Sequence, residues 1–431
     1  MTPKYSLYFH IPFCTHRCAY CDFNTYAGQE RLIPAYVEAL CNEVRSVVAS
    51  WPGRLPVHTI FFGGGTPSLL TPPQFEQILQ TVRDLFDLSD LPDLETSLEA
   101  NPGTVTLDSL RGLRRAGFNR ISFGVQSFHP GELRQLERIH DPFDVLNAVR
   151  WARLAGFENF NLDLIYGQPE QTLARWQANV KHAVELSPQH LSLYALTIEQ
   201  GTPYGRWAAH GLVPLPDPDL AADMYEWASE YLEGRGYEQY EISNWARPGY
   251  QCRHNLQYWR NQPYLGFGAG AHGCANGRRF SNVLRIKTYI ERVSPIAFRS
   301  DPATPASPPP LSPSPLFSAP LLSAFFLPFS TATVTQTRLT PFVEMQETMM
   351  LGLRLTQEGV STEAFHQRFG QDLMAVFGKE INELVGLGLL EQTPSPTGTC
   401  ARKGRGVGVR VRLTRRGRLL GNQVFMRFVG D

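Results

Sequence analysis

Residues 8–21 read Tyr8-Phe9-His10-Ile11-Pro12-Phe13-Cys14-Thr15-His16-Arg17-Cys18-Ala19-Tyr20-Cys21, an aromatic and branched run that ends in cysteines spaced C-x3-C-x2-C. The run has strand composition, so the cysteines sit on the loop that leaves a first strand. Thiolates are soft donors suited to iron–sulfur clusters and to zinc. A four-iron cubane needs one outside ligand on each iron. Three local cysteines therefore leave one iron free for a donor that is not protein. The competing reading is a structural zinc site completed by His10 or His16. Structural zinc usually draws its ligands as two separated pairs rather than one tight triplet, which favours the cluster. Cys41, Cys252, Cys274 and Cys400 stand alone and read as buried thiols.

Outward from this loop, strand-like runs recur at Ser6–Phe13, Val57–Phe62, Glu95–Ala100, Arg120–Val125, Asn159–Tyr166 and His190–Ile198. Helical periodicity fills the intervals at Arg31–Ala49, Pro73–Phe86, Leu107–Ala116, Phe143–Ala155 and Leu173–Leu186. Six strand-then-helix units predict an α/β fold, a parallel sheet curled into a partial (βα)6 TIM-like barrel. The functional site of such a fold lies at the C-terminal ends of the strands, where the cysteines, glycines and polar residues of this chain fall.

A chain of 431 residues is long enough for a second, smaller core. We place the barrel at 1–240 and an extension at 241–295. From 296 to 340 prolines recur and charges nearly vanish, which reads as a low-complexity insert. The alternative is that Leu316–Phe329 makes weak contact with a membrane surface or a partner. From 341 to 431, three short helices and a hairpin predict a mainly α, winged-helix-like domain. Its arginines at 402, 405, 410, 412, 415, 416 and 418 read as a solvated wing, because the whole chain has zero formal net charge and gives no case for nucleic acid. Neither a secretory signal nor an apolar run long enough to span a bilayer is visible, so the expected location is the cytoplasm.

The cysteine triplet, with an aromatic residue just before its last member, resembles the radical S-adenosylmethionine (SAM) superfamily. Gly63-Gly64-Gly65-Thr66-Pro67, at the end of the second strand, resembles that superfamily's methionine-binding motif. The resemblance implies a 4Fe–4S cluster held by Cys14, Cys18 and Cys21. It also implies SAM chelated to the open iron, which is the source of a 5′-deoxyadenosyl radical. The match is most detailed with the oxygen-independent coproporphyrinogen III oxidase-like family, through Glu99-Ala100-Asn101-Pro102, Gly124-Val125-Gln126-Ser127-Phe128 and Asp163-Leu164-Ile165-Tyr166-Gly167. Carried over by position, Tyr8, Gly64 and Glu99 resemble contacts to cluster-bound SAM. Tyr20, Gly65, Thr66, Gln126, Arg138 and Asp163 resemble positions around a second SAM.

Three features place the chain nearer the haem-chaperone branch of that family than its decarboxylating oxidases. Phe23 stands where the oxidases carry a further cysteine, only 13 residues precede Cys14, and His254-Asn255-Leu256-Gln257-Tyr258-Trp259 matches the branch's H-N-x-x-Y-W motif. A histidine can ligate haem iron and aromatic rings can stack on a porphyrin, so His254 is the expected haem contact. His272 is a second imidazole, more simply read as an ordinary loop residue. The resemblance implies haem as cargo and haem-requiring proteins as acceptors, with no residue assigned to catalysis. The alternatives are the oxidase reaction, coproporphyrinogen III to protoporphyrinogen IX, and a zinc-stabilised scaffold.

Overall fold

The computed structural model describes residues 3–49, 51, 53–89, 94–294, 329–394 and 408–429. Six parallel strands form its centre: β1 (Tyr5–Ile11), β2 (Val57–Gly64), β3 (Glu95–Ala100), β4 (Arg120–Gln126), β5 (Asn159–Tyr166) and β6 (His190–Ala195), neighbours in that order. Helices α1 (Ile33–Val48), α2 (Pro72–Leu85), α3 (Leu107–Ala116), α4 (Pro142–Leu154) and α5 (Leu173–Glu185) return the chain between them, and α6 (Pro218–Glu233) follows the sixth strand. The side chains of Thr106, Asp141 and Thr172 accept the first free amides of α3, α4 and α5, fixing where each helix starts.

The strands alternate with period two, but with the apolar face outward. Leu7, Phe9, Ile60, Phe62, Leu98, Ile121, Phe123, Leu162, Leu164, Leu191 and Leu193 are buried against the helices in one core. The alternate positions turn polar groups inward and bond them to one another. Asn161 donates to Ser122, Asp163 and Ser192 at 2.6–2.9 Å and accepts from His190 at 2.7 Å. Such a network is tolerable in a buried lumen only because its members find partners.

The sheet does not stop at six strands. β8 (Asn244–Ala246) adds antiparallel to β6, and β7 (Glu238–Glu241) adds antiparallel to β8 at the edge. On the far side β9 (Tyr264–Phe267) runs parallel to β1, followed by antiparallel β10 (His272–Ala275), β11 (Arg278–Asn282) and β12 (Thr333–Arg338). The stretch expected as an extension, 241–295, is thus part of one twelve-stranded sheet. Most of the expected insert, including Leu316 to Pro328, lies outside the described residues. Its final part corrects the expected boundary: Thr333–Arg338 is an edge strand, and Phe329 packs on Phe280. The β-branched Thr-Val-Thr alternation there carries the strand signal, which the proline count had obscured.

The C-terminal domain has its own core. α8 (Pro341–Gly352), α9 (Thr362–Phe369) and α10 (Leu373–Gly386) pack on a small antiparallel sheet ordered Val360–Ser361, Val409–Leu413, Leu390–Pro394. This is the winged-helix-like arrangement expected. Arg402, Lys403 and Arg405 lie outside the described residues. Arg412 and Arg415 pair with Glu391 and with Glu230 and Glu233.

Candidate functional site

The chain leaves β1 at Pro12, and Phe13–Cys14 immediately makes a short parallel ladder with Tyr26–Ala27. This closes the cysteine loop on itself at the C-terminal end of the barrel. Cys14 is buried, whereas Cys18 and Cys21 are half-buried. All three line a cavity of about 490 Å³, together with Tyr20, Gly64, Gly65, Thr66, Glu99, Gln126, Arg138 and Asp163. The structure therefore brings together every expected site residue except Tyr8 and His254.

Glycines are required where the second strand meets the loop. A Cβ on Gly65 would stand 2.6 Å from the Phe13 carbonyl oxygen and 3.0 Å from the Cys14 sulfur. Gly64 has φ +113°, and a Cβ there would meet the His10 ring at 2.5 Å. The freed backbone is put to use. Gly64 N–H donates to the Glu99 carboxylate at 3.0 Å, and Gly65 and Thr66 amides donate to the Ile11 and Phe13 carbonyls at 2.9 and 2.8 Å. Burial, reinforced by nearby Asp163, pushes the Glu99 carboxyl up to about 7.

The sulfurs have polar company. Arg138 donates to the Cys18 sulfur at 3.4 Å and to the Gly124 carbonyl at 2.7 Å, and the Thr66 hydroxyl reaches the Cys14 sulfur at 3.6 Å. Burial raises the Cys14 and Cys21 thiols, partly opposed by hydrogen bonds, so each holds its proton until a metal displaces it. Burial alone would weaken the charge on Arg138; facing Tyr20 and Cys18 more than offset it. A bulge in β4 between Gly124 and Gln126 places Gln126 at φ 65°, a strained value for a residue with a side chain. Gln126 Oε1 and Arg138 Nε are buried there with no hydrogen-bond partner among the described residues.

This chemistry fits a cluster with a small polar cofactor: three thiols on one loop, a cation beside them, a glycine cradle, and orphaned donor and acceptor atoms in the same cavity. It does not fit the zinc alternative. The His10 ring nitrogens are engaged by the Tyr8 hydroxyl and the Asn24 carbonyl, both at 2.9 Å. Among the described residues, no three Cys, His, Asp or Glu side chains converge on a point where one ion could sit. A cubane's ligands each bind a different iron and need no such convergence.

Tyr8 lies just beneath the cavity on the inner face of β1, its ring alongside Phe61 with centroids 6.4 Å apart. His254 is elsewhere. It belongs to a short helix, α7 (Arg253–Trp259), at the opposite end of the barrel, where the strands begin. Its ring nitrogens bond Thr59 and Tyr258 at 2.8 Å each, and the ring stacks on Phe61 at 5.0 Å. Glu95 accepts the Arg253 and His254 amides at 3.0 and 3.1 Å, so its carboxylate caps α7. Burial drives the imidazole down to about 3, leaving it neutral. The residue expected to contact haem is thus a buried plug whose ring nitrogens both bond within the chain. The i, i+4 spacing of His254 and Tyr258 puts them on one helix face, turned into the barrel.

Among the cavity residues that the sequence reading did not single out, Tyr194 stands on a strand of the barrel. Tyr194, on β6, lines the cavity and is 42% exposed, so its ring is open to whatever the cavity holds. Its signal was available, because it continues the inward face of Ser192, the register partner of Asp163.

The chain matches the radical SAM superfamily over residues 8–183 and the HemN C-terminal domain over residues 339–395. It is 36% identical over 428 residues to the Heme chaperone HemW of Bacillus subtilis (strain 168), covering 99% of each chain. It is 46% identical over 273 residues to the Heme chaperone HemW of Escherichia coli (strain K12), covering 63% of this chain and 70% of that one. Among solved structures, the coproporphyrinogen III oxidase HemN of Escherichia coli, a radical SAM enzyme, superposes with a TM-score of 0.75. That match has 23% identity and covers 99% of this chain and 90% of that chain, a likeness of fold.

Proposed function

Since the chain belongs to the radical SAM superfamily and, within it, to the haem chaperone HemW family, we propose that it binds haem and delivers it to haem-requiring acceptor proteins, retaining a 4Fe–4S cluster and SAM. The observation that carries this reading is the end-to-end match to a named haem chaperone, 99% of both chains, combined with a cavity built around three thiols.

In this reading Cys14, Cys18 and Cys21 ligate three irons, and Arg138 balances the negative charge of the thiolates. Gly64, held against Glu99, presents backbone to the cofactor, with Tyr8 supporting it from below. Tyr20, Gly65, Thr66, Gln126 and Asp163 complete the surrounding wall. A cluster with an open iron and bound SAM supplies one-electron reductive chemistry, and the protein's part is to hold, orient and exclude water. The fully engaged His254 argues for haem held elsewhere than at the plug.

Anaerobic reconstitution should give a brown protein with about four irons per chain. Haemin added to it should shift the Soret band, and the loaded protein should pass haem to an apo-acceptor. With coproporphyrinogen III, SAM and a reductant it should form no protoporphyrinogen. Steady formation of that product, or no Soret shift, would remove the chaperone reading.

A further inference from the structure

We propose that the outer edge of β12 is a self-association surface, where a second copy of this chain adds its own β12 antiparallel and joins the two sheets. The inference does not depend on the haem reading. A sheet edge presents unpaired N–H and C=O groups, so folded proteins cover their edges or break them with proline, lysine or bulges. The twelve-stranded sheet treats its two edges differently. At β7 the C-terminal domain supplies the cover. Thr356 donates its amide to the Tyr240 carbonyl at 3.1 Å and its hydroxyl to the Gln239 carbonyl at 2.6 Å, and Arg418 reaches the Gln239 side chain at 2.8 Å. At β12 no such cover is found among the described residues.

The phase of the ladder shows which groups are left over. Ser281 faces Thr335 and Arg279 faces Thr337, and one step further the Leu339 amide donates to the Gly277 carbonyl at 2.8 Å. Residues of an antiparallel pair exchange bonds at every second position. Thr335 and Thr337 therefore bond inward to β11, while Gln336 and Arg338, with Val334 beside the register shift, turn their main-chain groups outward. Beyond that ladder none of these three makes a main-chain hydrogen bond among the described residues. All the side chains from Val334 to Arg338 are exposed, Val334 by 48%. Thr333-Val334-Thr335-Gln336-Thr337 carries no proline and no charge, so the register shift at its start is all that blunts this edge.

The strand is also its own complement. With Gln336 set opposite the second copy's Gln336, Arg338 of each copy meets Val334 of the other, a two-fold arrangement with up to about six main-chain hydrogen bonds. Thr335 then lies across from Thr337, a favourable pair, and the two arginines stand at opposite ends of the ladder, so no like charges are apposed. The formal net charge of the chain is zero, so two copies approach without long-range repulsion. A ladder this short buries less than a standard interface, which makes the dimer reversible and micromolar rather than obligate.

Sedimentation equilibrium of the reconstituted full-length protein tests this. Between about 1 and 100 μM the mass should climb from 48.5 kDa toward twice that value. Gln336→Pro deletes the central outward amide and spares the bonds to β11. It should keep the parental thermal midpoint and iron content yet weaken association about tenfold or more. Gln336→Cys under mild oxidation should give more covalent dimer than the parent or than Leu212→Cys, at a position 71% exposed but outside the strand. A parent that stays monomeric throughout, or a Gln336→Pro variant that associates as tightly as the parent, would overturn the proposal. Should Gln336→Pro lower the midpoint, the cysteine variant decides: excess crosslinking upholds the pairing, and its absence sinks it.

Discussion

Replacing His254 by alanine removes an imidazole that holds three neighbours at once, and the loss should appear in stability. Its bonds to Thr59 and Tyr258, at 2.8 Å each, contribute about 0.5–1.5 kcal/mol apiece, and stacking on Phe61 about as much again. The vacated volume lies inside a barrel that cannot collapse to fill it, and large-to-alanine changes in such places cost about 3–5 kcal/mol in all. The Tyr258 hydroxyl would be left in the barrel without its imidazole partner. For a domain of this size each kcal/mol moves the midpoint by about 2 °C, so thermal unfolding of His254→Ala should fall by about 6–10 °C. Differential scanning calorimetry of the metal-free protein reads this directly. A double-mutant cycle with Tyr258→Phe should show coupling of at least about 0.5 kcal/mol. A variant that keeps the parental midpoint yet loses haemin binding would refute the plug and restore His254 as a ligand.

The remaining predictions concern pH and the cavity. His254, about 3 when folded, titrates near its ordinary value when unfolded, so between those values the unfolded chain binds more protons and stability rises with pH. Relative to a non-titrating His254→Gln variant, the parent should lose about 2 kcal/mol between pH 7 and pH 5; a difference in urea midpoints that does not change with pH would contradict this. The buried carboxyl of Glu99 works in the opposite sense, its contribution being lost as pH rises through about 7, which is why the comparison must be made between variants. Gly65→Ala forces a Cβ to within 2.6 Å of a backbone oxygen and should abolish most cluster incorporation, read as iron per chain after anaerobic reconstitution; full incorporation would show the cradle is unnecessary. Arg138→Met removes the donor to Cys18 and should lower iron content and hasten cluster loss in air, whereas parental retention would show the guanidinium is dispensable.

Much of this molecule was readable beforehand, for definite reasons. Glu95–Ala100 and Asn159–Tyr166 fall where the sequence reading put them, because one face of each strand must meet helices and the chain turns sharply at both ends. The first strand ends at Ile11 rather than Phe13 because Pro12 has no amide for the ladder. The sixth ends at Ala195 rather than Ile198, the next amide bonding back to the Tyr166 carbonyl as the chain leaves the sheet. The cavity residues were legible because they sit in local motifs at strand ends. The burial of His254 was not, since nothing in a hexapeptide reports which face of its helix the rest of the chain will cover. The strand at Thr333–Arg338 was hidden by the composition of its neighbours.

The capped and plugged floor of the barrel also constrains the order in which the protein can be made. Thr59 and His254 are separated by 195 positions, and Glu95 and the His254 amide by 159. A ribosome that has released the six parallel strands has still not delivered the amides that Glu95 accepts or the imidazole that bonds Thr59. The nascent barrel has no floor until the segment around residue 254 arrives, and a chain cut at the end of the superfamily match, residue 183, would leave the Glu95 carboxylate without the two amides it accepts.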